Sequence, residues 1–246
     1  MEIFGKKHGF TLSEVLITLT LIGFLATFTI STLGSSVQQR TRLSEFRAAY
    51  AKMSAALKSI SVDKGRVYAC YTKPSSEEIE AYGLHIDGEL SAGKFSECST
   101  LENDFVRAMG AVRHCTTNPV GEGCIPGNYP FPPPNPAGGT NTCFAEDANR
   151  NAYILDNGML IFTYNRLLGL EYFALDVNGR KGPNKWGQDI FPFQVSYTET
   201  KTVNGKVFVK SIGILPYSET STCNYANGGA IKSSFQMLKE SSGIRE

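Results

Sequence analysis

The chain has 246 residues, with 24 Lys and Arg against 23 Asp and Glu, a formal net charge of +1. That balance gives no electrostatic case for nucleic acid or another polyanion as partner, and the length suits one domain of ordinary size with an extra element. All six cysteines, Cys70, Cys98, Cys115, Cys124, Cys143 and Cys223, follow a single long apolar stretch. An even count in a region delivered outside the cytoplasm reads as disulfides.

The apolar stretch is "KKHGFTLSEVLITLTLIGFLATFTISTL", residues 6–33. No charge occurs from Val15 to Leu33, and with Phe10 to Glu14 the segment makes about 24 residues, or about 36 Å of helix, enough to span a bilayer. A buried core helix is usually shorter, and a cleavable secretory signal has an apolar region of roughly 7 to 15 residues and a small-x-small cut site, for which "FLATFTIS" is a poor match. A plain signal anchor explains the length but not Glu14, whose carboxylate costs roughly 2.5 to 3.5 kcal/mol at the centre of a span and less near its end.

The basic leader with Lys6 and Lys7, the Gly9-Phe10 junction, Thr11, Leu12, Glu14 as fifth residue after the junction, then Ile22-Gly23 and Leu25-Ala26, carry a family resemblance. Together they resemble the class III signal of type IV pilins and type II secretion pseudopilins, over roughly the first 25 residues after the leader. The resemblance implies that a prepilin peptidase cuts after Gly9 on the cytoplasmic face and that the new N-terminal Phe10 is methylated. Many members have a proline where Ser31 stands. With Phe10 as the new terminus, Glu14 lies one helical turn away and offsets the amine of a neighbouring subunit as helices pack side by side. The competing reading is a carboxylate that snorkels to the headgroups.

Beyond Gly34, the residues Leu43, Phe46, Tyr50, Met53, Leu57 and Ile60 recur in steps of three and four, one helical face with Gly65 as its stop. One helix of about 80 Å from Phe10 to around Asp63 follows from the same rise per residue. Fewer than three heptads argue against a coiled coil. "KPSSEEIEAYG" predicts a short helix after Pro74, and "TLENDFVRAMGAV" predicts another, capped at Ser99 or Thr100, with Phe105, Val106 and Met109 on one side. Residues 127–141, "GNYPFPPPNPAGGTN", form a proline and glycine loop unfit for a central strand. From Asn151, "NAYILDNGMLIFTYN" and "QVSYTETKTVNGKVFVKSIGIL" each predict two strands about an Asn-Gly turn, with "GLEYFALDV" as a fifth. Tight turns between consecutive strands argue for an antiparallel sheet whose apolar face the helical stripe covers.

In "LDVNGRKGPNKWGQD", residues 175–189, the side-chain oxygens of Asp176, Asn178, Asn184 and Asp189 are the candidate ligands of a calcium ion, though the spacing is not that of an EF-hand. The alternative is an Asx-rich turn packed on the sheet through Pro183 and Trp186. No G-x-S-x-G elbow, P-loop or H-E-x-x-H occurs, and His114 beside Cys115 reads as structural, since adjacent residues rarely face each other and an oxidised cysteine is no nucleophile. Cys115 and Cys124 enclose a short loop and pair most directly; Cys70 with Cys98 and Cys143 with Cys223 is one arrangement of the rest.

The expected fold is α+β: residues 1–9 a cytoplasmic leader, 10–33 the transmembrane and assembly half of the N-terminal helix, 34–64 its amphipathic half, and 65–246 an extracytoplasmic pilin-like domain with disulfide-bonded loops. The expected function is a non-enzymatic pilin or pseudopilin subunit, held in the bacterial inner membrane before assembly into a surface pilus or periplasmic pseudopilus. The resemblance implies as partners other such subunits through the N-terminal helix, the peptidase and an inner-membrane assembly platform. The competing classes are a membrane-anchored adhesion protein with a cysteine-rich recognition region and, more weakly, an anchored hydrolase.

Overall fold

The computed structural model describes residues 10–88, 93–116, 118–127, 151–163, 172–185, 187–216 and 232–242; of these, the side chains of residues 28–36, 241 and 242 are not described. The chain divides into two compact units between Thr41 and Arg42. Helix α1, Leu12–Lys64, is a single helical element to which both units contribute. In the first unit the apolar side chains from Phe10 to Leu25 are largely exposed. Among the described residues no helix is long and apolar enough to cross a membrane.

In the second unit the helical stripe is buried as its spacing demands. Phe46, Met53, Leu57 and Ile60 are inside together with Ala49 and Ala56, and Leu43 and Tyr50 pack against the same core. Gly65 ends the helix with φ at +69°, a conformation that favours glycine. Helix α2, Ser76–Tyr82, begins with a capping box in which Ser75 and Glu78 satisfy each other's backbone N–H groups. Helix α3, Cys98–Ala108, starts ahead of the predicted caps, because Glu97 is its N-cap residue and no side chain caps it. Its first residue is instead fixed by a disulfide to Cys70.

Among the described residues the sheet has six strands in the order β1-β2-β3-β4-β5-β6. They are β1, Ala111–Cys115; β2, Ala152–Leu155; β3, Leu160–Thr163; β4, Tyr172–Asp176; β5, Ile190–Val203; and β6, Lys206–Pro216, and every neighbouring pair is antiparallel. Strand β1 and the last helix, α4, Ser234–Ser242, were not among the expected elements. Asn204 and Gly205 both have positive φ, as the tight β5–β6 turn requires.

Strand alternation sends Tyr153, Leu155, Ile161, Phe173, Leu175, Phe191 and Phe193 to one face, where they meet the stripe of α1 and the Leu101, Phe105 side of α3. Phe46 packs edge-on against Phe191, with ring centres 4.8 Å apart. The opposite face carries Ala152, Leu160, Phe162, Ala174 and Ile190, and these are buried too, under Cys115, Cys124 and Ile125. A sheet covered on both faces explains why all four residues of β3 are buried.

Candidate functional site

The beginning of α1 is built on a local hydrogen-bond exchange. The Thr11 hydroxyl and backbone N–H both donate to Glu14 Oε2, at 2.9 and 2.8 Å, and the Glu14 N–H donates back to Thr11 Oγ1 at 3.3 Å. This is a capping box with Thr11 as N-cap and Glu14 as the third helical residue. It satisfies backbone donors that a helix start otherwise leaves open. The T-x-x-E spacing of "TLSE" before an apolar run is the signal for such a box, a role for Glu14 beside pairing with a neighbouring subunit or snorkelling to the headgroups. The carboxylate therefore has a role within its own chain.

Below the cap the helix offers an apolar surface with few polar interruptions. Phe10 is 88% exposed and Leu12 82%, followed by exposed Val15, Leu16, Ile17, Leu19, Leu21, Ile22, Phe24 and Leu25. The threonines in this run do not spoil it: the hydroxyls of Thr18, Thr20 and Thr27 donate to carbonyls three or four residues back. Their polar groups are thus satisfied inside the helix, and the surface suits lipid or another such helix. Gly9, the expected processing residue, lies outside the described residues, whereas Phe10 and Glu14 lie within them.

The other expected sites fall in the second unit. Cys70 is bonded to Cys98, and Cys115 to Cys124; Cys143 and Cys223 lie outside the described residues. On β1, His114 points away from the buried Cys115, stacks on the Tyr153 ring at 4.2 Å and places Nε2 3.2 Å from Asn151 Oδ1. Asn151 and the Tyr153 hydroxyl both donate to the buried Glu102 carboxylate, so the histidine belongs to a structural network with no nucleophile in it.

Asp176, Asn178, Asn184 and Asp189 do converge. Asp176 Oδ1 accepts from the N–H groups of Asn178 and Gly179. Asp189 Oδ2 accepts from the Asn184 N–H at 2.7 Å and from Asn178 Nδ2 at 3.2 Å, while its Oδ1 accepts from the Lys185 N–H. Burial pushes the Asp189 carboxyl above its usual range, opposed by those donors. Asn178 Oδ1 is a buried oxygen with no hydrogen-bond partner, but calcium takes six to eight oxygens. Only two carboxylates are present, both already turned to N–H donors, and among the described residues no group of three or more His, Cys, Asp or Glu side chains could hold a metal. The donor set fits a hydrogen-bonded Asx turn and falls short of a calcium cage. Trp186 lies outside the described residues.

Residues 5–30 match the family model described as the prokaryotic N-terminal methylation motif, the signature of type IV pilins and pseudopilins. The match covers the capping box and most of the exposed apolar run. No curated protein and no solved structure matches the chain. The motif supports a pilin-like or pseudopilin subunit, and its family is structural and not enzymatic.

Proposed function

We propose that this chain is a prepilin-like structural subunit of a type IV pilus or type II secretion filament. A prepilin peptidase cuts it after Gly9, Phe10 becomes the methylated terminus, and α1 anchors it in the inner membrane with its disulfide-bonded domain outside. The observation that carries the reading is the methylation motif over residues 5–30 on a helix whose apolar side chains are exposed. In the membrane that surface is covered by lipid, and in a filament by neighbouring helices, so assembly exchanges one apolar environment for another. Glu14 lies one helical turn from Phe10, and its carboxylate is the group that meets a neighbour's amine.

The deciding experiment is intact mass on the full chain produced with a prepilin peptidase. The mature N-terminus is expected to begin at Phe10 with one added methyl. Gly9→Val, whose branched side chain leaves no room in a site that accepts glycine, is expected to remain unprocessed. Removal of residues 1–9 from the Gly9→Val chain would overturn the processing assignment.

A further inference from the structure

Strand β6 is the last strand of the sheet, so among the described residues its outer edge has no strand beside it. Two cavities, of about 800 and 460 Å³, are lined by β6 and also take in Thr198 and Lys201 of β5. They share Arg66, Val67 and Lys210, and together they touch β6 from Val207 to Leu215. The facing wall of the larger one is a strip of α1 from Tyr50 to Val62, at the border between its buried stripe and its exposed side. The groove therefore follows nine of the eleven residues of β6, about 27 Å at about 3.4 Å per residue. Tyr50 bridges it at one point by donating its hydroxyl to the Ile214 carbonyl, at 2.8 Å.

The lining has two chemical properties. Leu57, Val62, Leu84, Val209 and Ile212 make it apolar, and its charged residues are all basic: Lys58, Arg66, Lys94, Lys201 and Lys210, with no Asp or Glu on either cavity. Arg66 is paired with Glu97 and Lys210 with Glu199, whereas Lys58, Lys94 and Lys201 have no ion pair among the described residues. In a chain of net charge +1 this is a concentration of one sign. Lysines on an edge strand discourage pairing with an identical edge. They do not discourage an acidic strand, for which the exposed edge supplies backbone hydrogen bonds and the apolar wells supply places for alternate side chains.

We propose that the groove along β6 takes an extended acidic segment of another polypeptide, added to the sheet as a further strand with apolar side chains against α1 and carboxylates on the lysine rim. The inference concerns the second unit alone and does not rest on the filament reading. A peptide is favoured over single-stranded nucleic acid because β6 supplies a backbone ladder and aliphatic side chains outnumber the four aromatic ones, Tyr50, Tyr71, Tyr82 and Phe208, in the lining.

The test uses the full chain in detergent and a fluorescent peptide of about eight residues alternating Glu and Val, matched to the groove length. Saturable binding by anisotropy is expected, weakened at least about tenfold by Lys58→Glu with Lys201→Glu and unchanged by Arg180→Glu, all variants having wild-type melting. The same peptide with alternate backbone amides methylated is expected not to bind, since it cannot complete the strand ladder. Absence of saturable binding overturns the proposal. So does equal binding of the methylated peptide, which means capture by charge alone. Tighter binding of an oligothymidylate makes the groove a polyanion surface, and a dimer that excludes the peptide gives the edge to a second copy; either result also overturns it.

Discussion

Gly179 occupies a place that no other residue fits. Its φ is +64°, and a Cβ built on it stands 1.8 Å from the Gly158 carbonyl oxygen, a backbone atom that cannot rotate away. Gly179→Ala must move the Asp176 loop off the β2–β3 turn, and the strained φ and the clash together are expected to cost at least about 2 kcal/mol. In a chain of this size that lowers Tm by roughly 4 to 8 °C, measurable by calorimetry. Glu97 is the second position where one side chain organises a junction. Its carboxylate accepts from Arg66, Lys64 and the Ala69 N–H, and these donors, Arg66 first, hold its pKa well below the usual 4.5. A depressed carboxylate pKa adds stability above the unfolded value and loses it as pH falls through the folded one. Glu97→Gln is expected to cost about 1 to 3 kcal/mol at neutral pH and to flatten the acid side of the stability profile in denaturant titrations. A Gln variant as acid-sensitive as the wild type would refute this. Glu78 and Asp189, raised chiefly by burial, act with the opposite sign, each adding stability as pH falls.

Elements with a strong period or a defined turn were legible from the residues. The α1 stripe is one, and the Asn204-Gly205 hairpin is another, because spacing and turn chemistry are local. Strand β1 was not legible, since three of its five residues are exposed and it has no apolar alternation; pairing with β2 makes it a strand. The cover on the second face was also hidden. The loop around Cys115 and Cys124 has no periodicity, and only the folded sheet shows that it lies over Leu160, Phe162 and Ile190. That placement makes the short disulfide more than a loop staple. Replacing both cysteines by Ser is expected to remove somewhat less than the roughly 3 kcal/mol of a fifteen-residue loop, plus the apolar contact of two buried side chains, about 2 to 4 kcal/mol in all; unchanged unfolding in urea would refute it. The four Asx residues near Gly179 were legible as a cluster but not in purpose, because spacing does not reveal which oxygens face N–H groups. With the Asp176 and Asp189 carboxylates already accepting N–H bonds, Tm is expected not to move between chelator and millimolar calcium, while Asp189→Ala lowers it equally in both. A calcium-dependent rise in Tm would restore the metal reading.

For the molecule as a subunit, the question is what the exposed apolar helix and its one acid do in company. Glu14 is asked to do two things: close the capping box with Thr11 inside its chain and offer a negative charge to a neighbour. Glu14→Ala removes both, so loss of filaments in that variant cannot separate them. Glu14→Gln can, because Gln at the third helical position also completes a capping box but carries no charge. If the charge serves assembly, both variants are cleaved after Gly9 and enter the membrane at least as readily as the wild type, since a costly carboxylate has gone from the span. Incorporation into sheared filaments then falls in both, and to a similar level. If the cap is what matters, Gln restores incorporation and Ala does not, and helix content near the N-terminus, followed by amide exchange in detergent, falls only in Ala. The expected outcome is the first, with the capping loss adding only about 1 kcal/mol to the Ala variant. Subunit pairing through the neighbour's amine also predicts that a positive Lys at the same place, Glu14→Lys, assembles worse than Gln, because it sets two like charges side by side in a medium with little screening.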